Sequence, residues 1–146
     1  MEIRSNSQEE TMALAEKIAA NVKEGMVITL KGDLGAGKTT FTKGIGKGLG
    51  IKKAISSPTF TIMKIYQGNM PLYHIDAYRL EEHFQDLGFE EYVNGDGLCV
   101  VEWADFIEEI LPKERLAISI DYEGDSARKI TLTPIGEAYE ALVKEL

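Results

Sequence analysis

Met26-Val27-Ile28-Thr29-Leu30 is a short apolar run with β-branched residues, and after Lys31 it is followed by Gly32-Asp33-Leu34-Gly35-Ala36-Gly37-Lys38-Thr39. The apolar run predicts a buried β-strand. The second stretch matches the pattern G-x-x-x-x-G-K-[ST], and the residues from Lys38 to about Leu49 predict a helix. A glycine-rich loop between a buried strand and a helix is the arrangement that cradles nucleotide phosphates, and it indicates an α/β fold.

Each residue type in this loop, residues 32–39, has a chemical role in phosphate binding. Its glycines allow several backbone N–H groups to point inward at phosphate oxygens. Lys38 supplies a positive charge to the β- and γ-phosphates, and the Thr39 hydroxyl can ligate Mg²⁺. The helix that begins at Lys38 adds the partial positive charge of its N-terminus. The alternative interpretation is a glycine-rich turn with an exposed lysine.

The rest of the chain alternates between helix and strand patterns. Ser7-Gln8-Glu9-Glu10 is a capping box, which predicts the start of a first helix that Gly25 closes. Further helices are predicted at residues 81–87, 89–92, 104–111 and 136–146. Further strands are predicted as a hairpin at 59–66 and 70–76, a buried strand at 98–101, and a hairpin at 115–122 and 128–133. The predicted fold class is α/β, a P-loop NTPase-like mixed β-sheet flanked by helices with antiparallel hairpin additions, in a single domain over residues 1–146.

Composition and charge narrow the class of protein. The 146 residues are 44% hydrophobic and 27% charged, which is typical of one domain with a core. Sixteen basic against twenty-four acidic side chains give a formal net charge of −8, so autonomous binding to DNA or RNA is not expected. The single cysteine, Cys99, fits a reducing compartment. No stretch approaches the roughly 18–20 apolar residues of a membrane span, and residues 1–6 do not form a secretory signal, so we expect a cytoplasmic protein with no membrane partner.

Two acidic residues follow predicted strands and are candidates to complete a phosphate site. Glu102 comes directly after the apolar strand at 98–101, where ligands bind in open α/β sheets, and it could hold Mg²⁺ directly or through water. Asp76 ends the second strand of the first hairpin and could orient an attacking water or bind a metal-bound water. The alternatives are a surface carboxylate for Glu102 and, for Asp76, a turn cap or a pair with Arg79.

Several neighbouring residues have both a functional and a structural interpretation. Trp103 could cover a site or fill the core. Thr59, in Ser57-Pro58-Thr59-Phe60, could sense the γ-phosphate as a switch, or it could belong to a rigid entry to a strand. The residues interpreted as packing, surface or sheet-face positions are His74, His83, Tyr66, Tyr73 and Tyr78.

Four motifs together resemble those of the TsaE family, also called YjeE, which are small bacterial P-loop ATPases required for the threonylcarbamoyl-adenosine modification of tRNA. The motifs are Gly32-Asp33-Leu34-Gly35-Ala36-Gly37-Lys38-Thr39-Thr40-Phe41, Ser57-Pro58-Thr59-Phe60-Thr61, Tyr73-His74-Ile75-Asp76-Ala77-Tyr78-Arg79-Leu80 and Val101-Glu102-Trp103. Their order, their spacing and the chain length agree with the family, so the resemblance covers essentially the whole chain. The P-loop alone would not identify a family.

The resemblance implies ATP as the ligand, with Mg²⁺ held by Thr39 and Glu102. It also implies that Asp76 is needed for hydrolysis, that Thr59 lies in a switch-like loop, and that Trp103 lies next to the nucleotide.

The same resemblance implies that the start of the first helix, from Ser7 to Thr11, approaches the adenosine. Arg128, in the second hairpin, could contact nucleotide or partner, or it could be a surface arginine. The candidate nucleotide-binding residues are then Thr11, Asp33, Leu34, Gly35, Ala36, Gly37, Lys38, Thr39, Thr40, Trp103 and Arg128.

In the TsaE family the protein binds a heterodimer of TsaB and TsaD, and its ATP hydrolysis resets that complex between turnovers. The resemblance therefore implies an ATPase that is weak alone and stimulated by its partners, and that meets tRNA only through the complex. The net charge of −8 is no obstacle if the partners hold the tRNA. The alternative is a nucleotide-dependent binding module whose hydrolysis is incidental. A small-molecule kinase is less expected because the chain has only four arginines, and a GTPase because it has no Asn-Lys-x-Asp motif.

Overall fold

The computed structural model describes residues 1–33, 35–56, 63–77, 95–105, 108 and 111–146. The strands among these residues are β1 (Glu2–Ser5), β2 (Val27–Lys31), β3 (Met63–Gln67), β4 (Pro71–Asp76), β5 (Leu98–Glu102), β6 (Arg115–Tyr122) and β7 (Arg128–Ile135). The helices are α1 (Gln8–Ala19), α2 (Lys38–Gly48) and α3 (Glu137–Lys144). In the described part of the chain, no helix is long and apolar enough to cross a bilayer.

The seven strands form one mixed sheet in the order β1-β7-β6-β2-β5-β4-β3. The centre is parallel, because β2 pairs with both β5 and β6, and β5 pairs with β4. The edges are antiparallel, with β3 against β4 on one side and β6 and β1 against β7 on the other. The predicted α/β fold, a mixed sheet with two antiparallel hairpins, is confirmed.

The central strand β2 is buried on both faces of the sheet, which explains its uninterrupted apolar sequence. On one face, α1 and α2 complete the larger apolar core, which includes Ile28, Leu30 and the fully buried Phe41. The other face carries a smaller cluster that includes Val27 and Cys99. Burial raises the pKa of the Cys99 thiol to about 12, so this thiol stays protonated at neutral pH.

Helix α1 begins at the predicted capping box but is shorter than predicted. The Ser7 hydroxyl accepts a hydrogen bond from the Glu10 N–H at 3.1 Å. The helix ends at Ala19, so the prediction that Gly25 closes it is wrong. Gly25 instead has a φ of 86° and donates its N–H to the Gly97 carbonyl at 2.9 Å, which makes it part of the turn that leads into β2.

Two other regions differ from the prediction. Strand β1 was not predicted, because it is a four-residue edge strand whose hydrogen bonds come from β7 across the length of the chain. In the predicted helix at 104–111, the described residues Ala104, Asp105 and Glu108 adopt 3₁₀ rather than α conformation. The predicted helices at 81–87 and 89–92, and the start of the first hairpin at 59–62, lie outside the described residues.

The close contact between α1 and α2 depends on Gly44. A Cβ at this position would lie 2.6 Å from the Met12 carbonyl oxygen and 2.7 Å from the Ala15 Cβ. Alanine favours a helix over glycine by about 1 kcal/mol, but the two helices must separate to admit the methyl group. We expect Gly44→Ala to lower the free energy of unfolding by about 1–3 kcal/mol, measured by urea denaturation.

Gly46 in the same helix provides the matched comparison for Gly44. A Cβ at Gly46 would meet the end of the Ile55 side chain, which can change rotamer, rather than a neighbouring backbone. Gly46→Ala should therefore lose less stability than Gly44→Ala. Equal losses in the two variants would contradict the assignment of Gly44 as the contact that sets the distance between the helices.

Candidate nucleotide-binding site

The glycine-rich loop lies where the sequence predicts it, between the end of β2 and the start of α2. Strands β2, β5 and β4 run in parallel, so their carboxyl ends meet at this edge of the sheet. In the register of the sheet, Glu102 pairs with Leu30 on one side and with Asp76 on the other. The two predicted carboxylates therefore lie on adjacent strands beside the start of the loop.

The loop ends at the N-terminus of α2, where the backbone N–H groups of the first helical turn lie. Gly37 is the N-cap residue, with a φ of 116° that favours glycine. It has no side chain to cap the helix, and the first turn contains no acidic residue. The helix itself therefore provides no acceptor for the N–H groups of Lys38, Thr39 and Thr40. A helix start of this kind binds anions, phosphate groups included.

Lys38 points into the protein and meets an acidic and an aromatic partner. The residue is only 7% exposed. Its Nζ lies 4.0 Å from Oε1 of Glu102 and 4.6 Å from the centroid of the Trp103 ring. The alternative of an exposed lysine in a simple turn is therefore wrong. A buried ammonium needs such partners, since an uncompensated charge in the interior is costly.

Glu102 is also buried, and its second carboxylate oxygen is held by a histidine. Oε2 of Glu102 lies 2.6 Å from Nε2 of His74, which is fully buried. The sequence predicts a packing or surface residue at His74, and it does not predict this contact with the carboxylate. A signal was present, because His74 stands two residues before Asp76 and so shares its face of β4. The adjacent strand β5 then brings Glu102 within reach.

Trp103 covers this site rather than filling the core, since 38% of the residue is exposed. Its φ of 59° is unusual for a bulky residue and turns the chain sharply at the end of β5. This backbone conformation lets Glu102 point inward while the next residue places its ring over Lys38. The strain sits at the site itself, where such conformations are concentrated in proteins.

Two cavities lined by described residues meet the loop from different sides. The larger, about 360 Å³, extends along the sheet from the loop to β6 and includes Asp33, Lys38 and Trp103 in its lining. The smaller, about 130 Å³, lies between the loop, the start of α1 and the turn between β6 and β7. Its lining includes Thr11 and Thr40. The loop therefore separates a wide space at the lysine from a narrow space at the first helix.

Most of the predicted site residues converge on these two spaces. The Thr11 hydroxyl is hydrogen-bonded to Ser5 at 2.7 Å and lines the smaller cavity. Arg128 lines the same cavity, and its Nε donates to the Ala36 carbonyl at 2.9 Å, within the loop. Two of the predicted residues, Leu34 and Thr59, lie outside the described part of the chain. The roles predicted for all of these residues stay predictions.

A family model described as Threonylcarbamoyl adenosine biosynthesis protein TsaE matches residues 5–130. The chain belongs to the TsaE family. A protein named tRNA threonylcarbamoyladenosine biosynthesis protein TsaE from Bacillus subtilis is 56% identical over 144 residues, which cover 98% of this chain and 91% of that protein. The TsaE of Treponema pallidum is 42% identical over 130 residues, which cover 88% and 96%. The crystal structure of Bacillus subtilis YdiB superposes with a TM-score of 0.88 at 51% identity, covering 99% of this chain and 92% of that chain.

Membership of the TsaE family confirms the identification made from the four sequence motifs. The matched range contains the glycine-rich loop, Asp76 and the Glu102-Trp103 pair, and it ends two residues beyond Arg128. The high structural similarity to YdiB agrees with the mixed sheet described above. Each part of the candidate site therefore lies within the TsaE match.

Proposed function

We propose that this chain is the ATP-binding and ATP-hydrolysing subunit of tRNA threonylcarbamoyladenosine formation. The observation that carries the proposal is the phosphate loop with Lys38 held beside Glu102 at the carboxyl ends of parallel strands. Membership of the TsaE family supports the pathway, because the curated relatives are named for that biosynthesis.

The two cavities suggest how a nucleotide lies on the loop. The adenosine would occupy the smaller space beside Thr11 and Thr40, next to the start of α1. The last phosphate would then reach toward Lys38 and Trp103 in the larger space. Between them, the N–H groups at the start of α2 would bind the phosphate oxygens.

The side chains present fit a Mg²⁺ ion that has few protein ligands. Thr39 provides a hydroxyl oxygen and Glu102 a carboxylate oxygen, the hard donors that this ion prefers. Among the described residues, no group of three or more His, Cys, Asp and Glu could hold a metal. Few protein ligands are expected here, since Mg²⁺ in nucleotide sites keeps waters and takes the rest of its oxygens from the phosphates. When bound, the ion would neutralise charge on those phosphates.

The protein groups around the last phosphate then have separate tasks. Lys38 would leave Glu102 and bind phosphate oxygens, because the Glu102 carboxylate and the phosphate compete for the same ammonium. Asp76, in register with Glu102 on β4, would position the attacking water. Trp103 would limit the access of bulk water to this end of the site. Thr59 is proposed as the residue of a switch-like loop, on the basis of its motif alone.

The proposal includes a heterodimer of TsaB and TsaD as partner, with tRNA contacted through that complex. The formal net charge of −8 supports a subunit that does not hold nucleic acid itself. Arg128 donates to backbone carbonyls of its own chain. In the proposal the partners supply the group that stabilises charge on the transferred phosphate.

The direct test is phosphate release from Mg²⁺-ATP by the pure chain, alone and with purified TsaB and TsaD. We expect slow release alone and a clear rise with the two partners. Tight ATP binding by the unaltered chain without stimulation by the partners would exclude the partnered ATPase.

Asp76→Asn should bind ATP with nearly unchanged affinity while hydrolysis falls by about 100-fold, in the range for loss of a catalytic acid-base group.

A nucleotide-dependent binding module is the second candidate function. It is favoured by the contacts of Lys38 with Glu102 and Trp103. If Lys38 turns to a bound phosphate it would leave these contacts, so the bound and free states would differ even without hydrolysis. Support of threonylcarbamoyladenosine formation by Asp76→Asn would favour this module. Loss of that support, with ATP affinity intact, would favour the ATPase.

A further inference from the structure

The side chain of Arg128 joins the phosphate loop to the turn between β6 and β7, residues 123–127. Its Nε donates to the Ala36 carbonyl at 2.9 Å. Its Nη1 donates to the carbonyl of Ala127 at 2.9 Å and to those of Gly124 and Asp125 at 3.3 Å each. Within the described chain, these bonds all go to backbone carbonyls. The guanidinium therefore depends on the backbone conformation of both the phosphate loop and the 123–127 turn.

The guanidinium of Arg128 also lies over an aromatic ring. The Cζ of Arg128 lies 4.4 Å from the centroid of the Tyr122 ring, at the end of β6. A Cβ on Gly35 would lie 3.0 Å from the Tyr122 hydroxyl. The second hairpin therefore approaches the loop at two consecutive residues, Gly35 and Ala36.

The hydrogen bond to Ala36 has a consequence for the next peptide group. The peptide bond between Ala36 and Gly37 is trans, as are all those of the described residues. In a trans peptide the C=O and the following N–H point in opposite directions. A carbonyl held toward Arg128 therefore directs the Gly37 N–H away from Arg128. The N–H of Ala36 itself is used within the loop, by the Asp33 carbonyl at 2.9 Å.

We propose that Arg128 is a positioning residue that holds the Ala36–Gly37 peptide in its phosphate-binding orientation and couples the phosphate loop to the 123–127 turn. This role rests on the proposed function, since it assumes that the loop binds a nucleotide. It differs from a direct contact between Arg128 and the nucleotide, because the arginine acts through the backbone. A molecule that displaces the 123–127 turn would, through this arginine, weaken nucleotide binding.

The test uses the full chain carrying Arg128→Gln, with Arg4→Gln as the matched control. Arg4 is an exposed arginine of β1 in the same sheet, and its Nε bonds only the nearby Asn6 side chain among the described residues. Two readouts are taken: hydrogen exchange of the loop amides at residues 33–38 without nucleotide, and the dissociation rate of a fluorescent ATP analogue. We expect faster exchange confined to the loop and the 123–127 turn, and dissociation about tenfold faster, the scale of losing one hydrogen bond to a charged group. Arg4→Gln should change neither.

Other outcomes would overturn the proposal in distinct ways. Faster dissociation with unchanged loop exchange would make Arg128 a direct nucleotide contact. Unchanged values in both readouts would remove any role in the loop. If Arg128→Gln does not fold, Tyr122→Leu takes its place, because it removes the ring beneath the guanidinium and leaves the hydrogen-bonding groups of Arg128 itself. Unchanged loop exchange in that variant would overturn the coupling.

The failure of the proposed function is separable from the failure of this coupling. If the unaltered chain binds no ATP analogue, the proposed function fails on its own. The exchange of the loop amides needs no nucleotide, so it still reports whether Arg128 holds the loop.

Discussion

Lys38→Met is expected to lower the rate of ATP hydrolysis by about 100- to 1,000-fold, the cost of removing one preorganised electrostatic donor from a transition state. Methionine keeps an apolar stem of similar length at this buried position. The lost group is the ammonium, which lies 4.0 Å from the Glu102 carboxylate in the free protein. Phosphate release under saturating Mg²⁺-ATP, with the partner proteins present, measures the effect.

Lys47→Met in the same helix is the matched control. Its ammonium is exposed and pairs with Glu16 at 3.8 Å on the surface of α2 and α1. An exposed pair of this kind contributes little to stability, so hydrolysis should be unchanged. Thermal unfolding of both variants separates loss of activity from loss of fold. Equal activity in Lys38→Met and Lys47→Met would exclude Lys38 from the reaction.

Glu102→Gln should remove the dependence of nucleotide affinity on Mg²⁺ and lower hydrolysis by at least about tenfold, because a neutral amide is a weak ligand for this ion. Without Mg²⁺, the same variant should bind ATP at least as tightly as the unaltered chain. The reason is that glutamine no longer competes as an anion for the Lys38 ammonium, which is then free to bind phosphate. Titration of a fluorescent nucleotide with and without Mg²⁺ gives both quantities.

Two further variants test whether the effect of Glu102→Gln is specific to that carboxylate. Glu16→Gln removes a partly exposed carboxylate on the surface of α1 and should leave both titrations unchanged. His74→Gln keeps a donor beside Glu102 but changes its geometry, and we expect a smaller loss of Mg²⁺ dependence in the same direction. Full Mg²⁺ dependence in Glu102→Gln would show that the carboxylate does not hold the ion.

The unit of strand, glycine-rich loop and helix could be predicted from sequence because its determinants are local. The apolar run of β2 specifies a strand buried on both faces. Gly37 is needed at one backbone position with a φ of 116°, and the pattern ending in Lys38 and Thr39 follows at fixed spacing. Asp76 and Glu102 each stand at the end of a predicted strand, and the parallel pairing of β4 with β5 brings them to one edge of the sheet.

The predictions from sequence are wrong where segments that are distant in the chain come into contact. The four residues of β1 carry little pattern of their own, and they become a strand because β7 offers an edge that they can pair with. The end of the first helix could not be predicted correctly from the periodicity of its apolar residues. Gly25 could close a helix by itself, but its hydrogen bond to Gly97, more than seventy residues later, makes it a turn before β2.

The roles of His74 and Arg128 depend on contacts that local sequence does not encode. A histidine two residues before Asp76 could face many neighbours, and the register of β4 against β5 is what places it 2.6 Å from Glu102. Arg128 could be any surface arginine until the second hairpin brings it to the Ala36 carbonyl, 92 residues earlier in the chain. Short-range patterns specify which groups can bind phosphate, because loop and helix geometry follow from neighbouring residues. The packing of the sheet specifies which side chains hold those groups in place, because it brings together residues far apart in the chain.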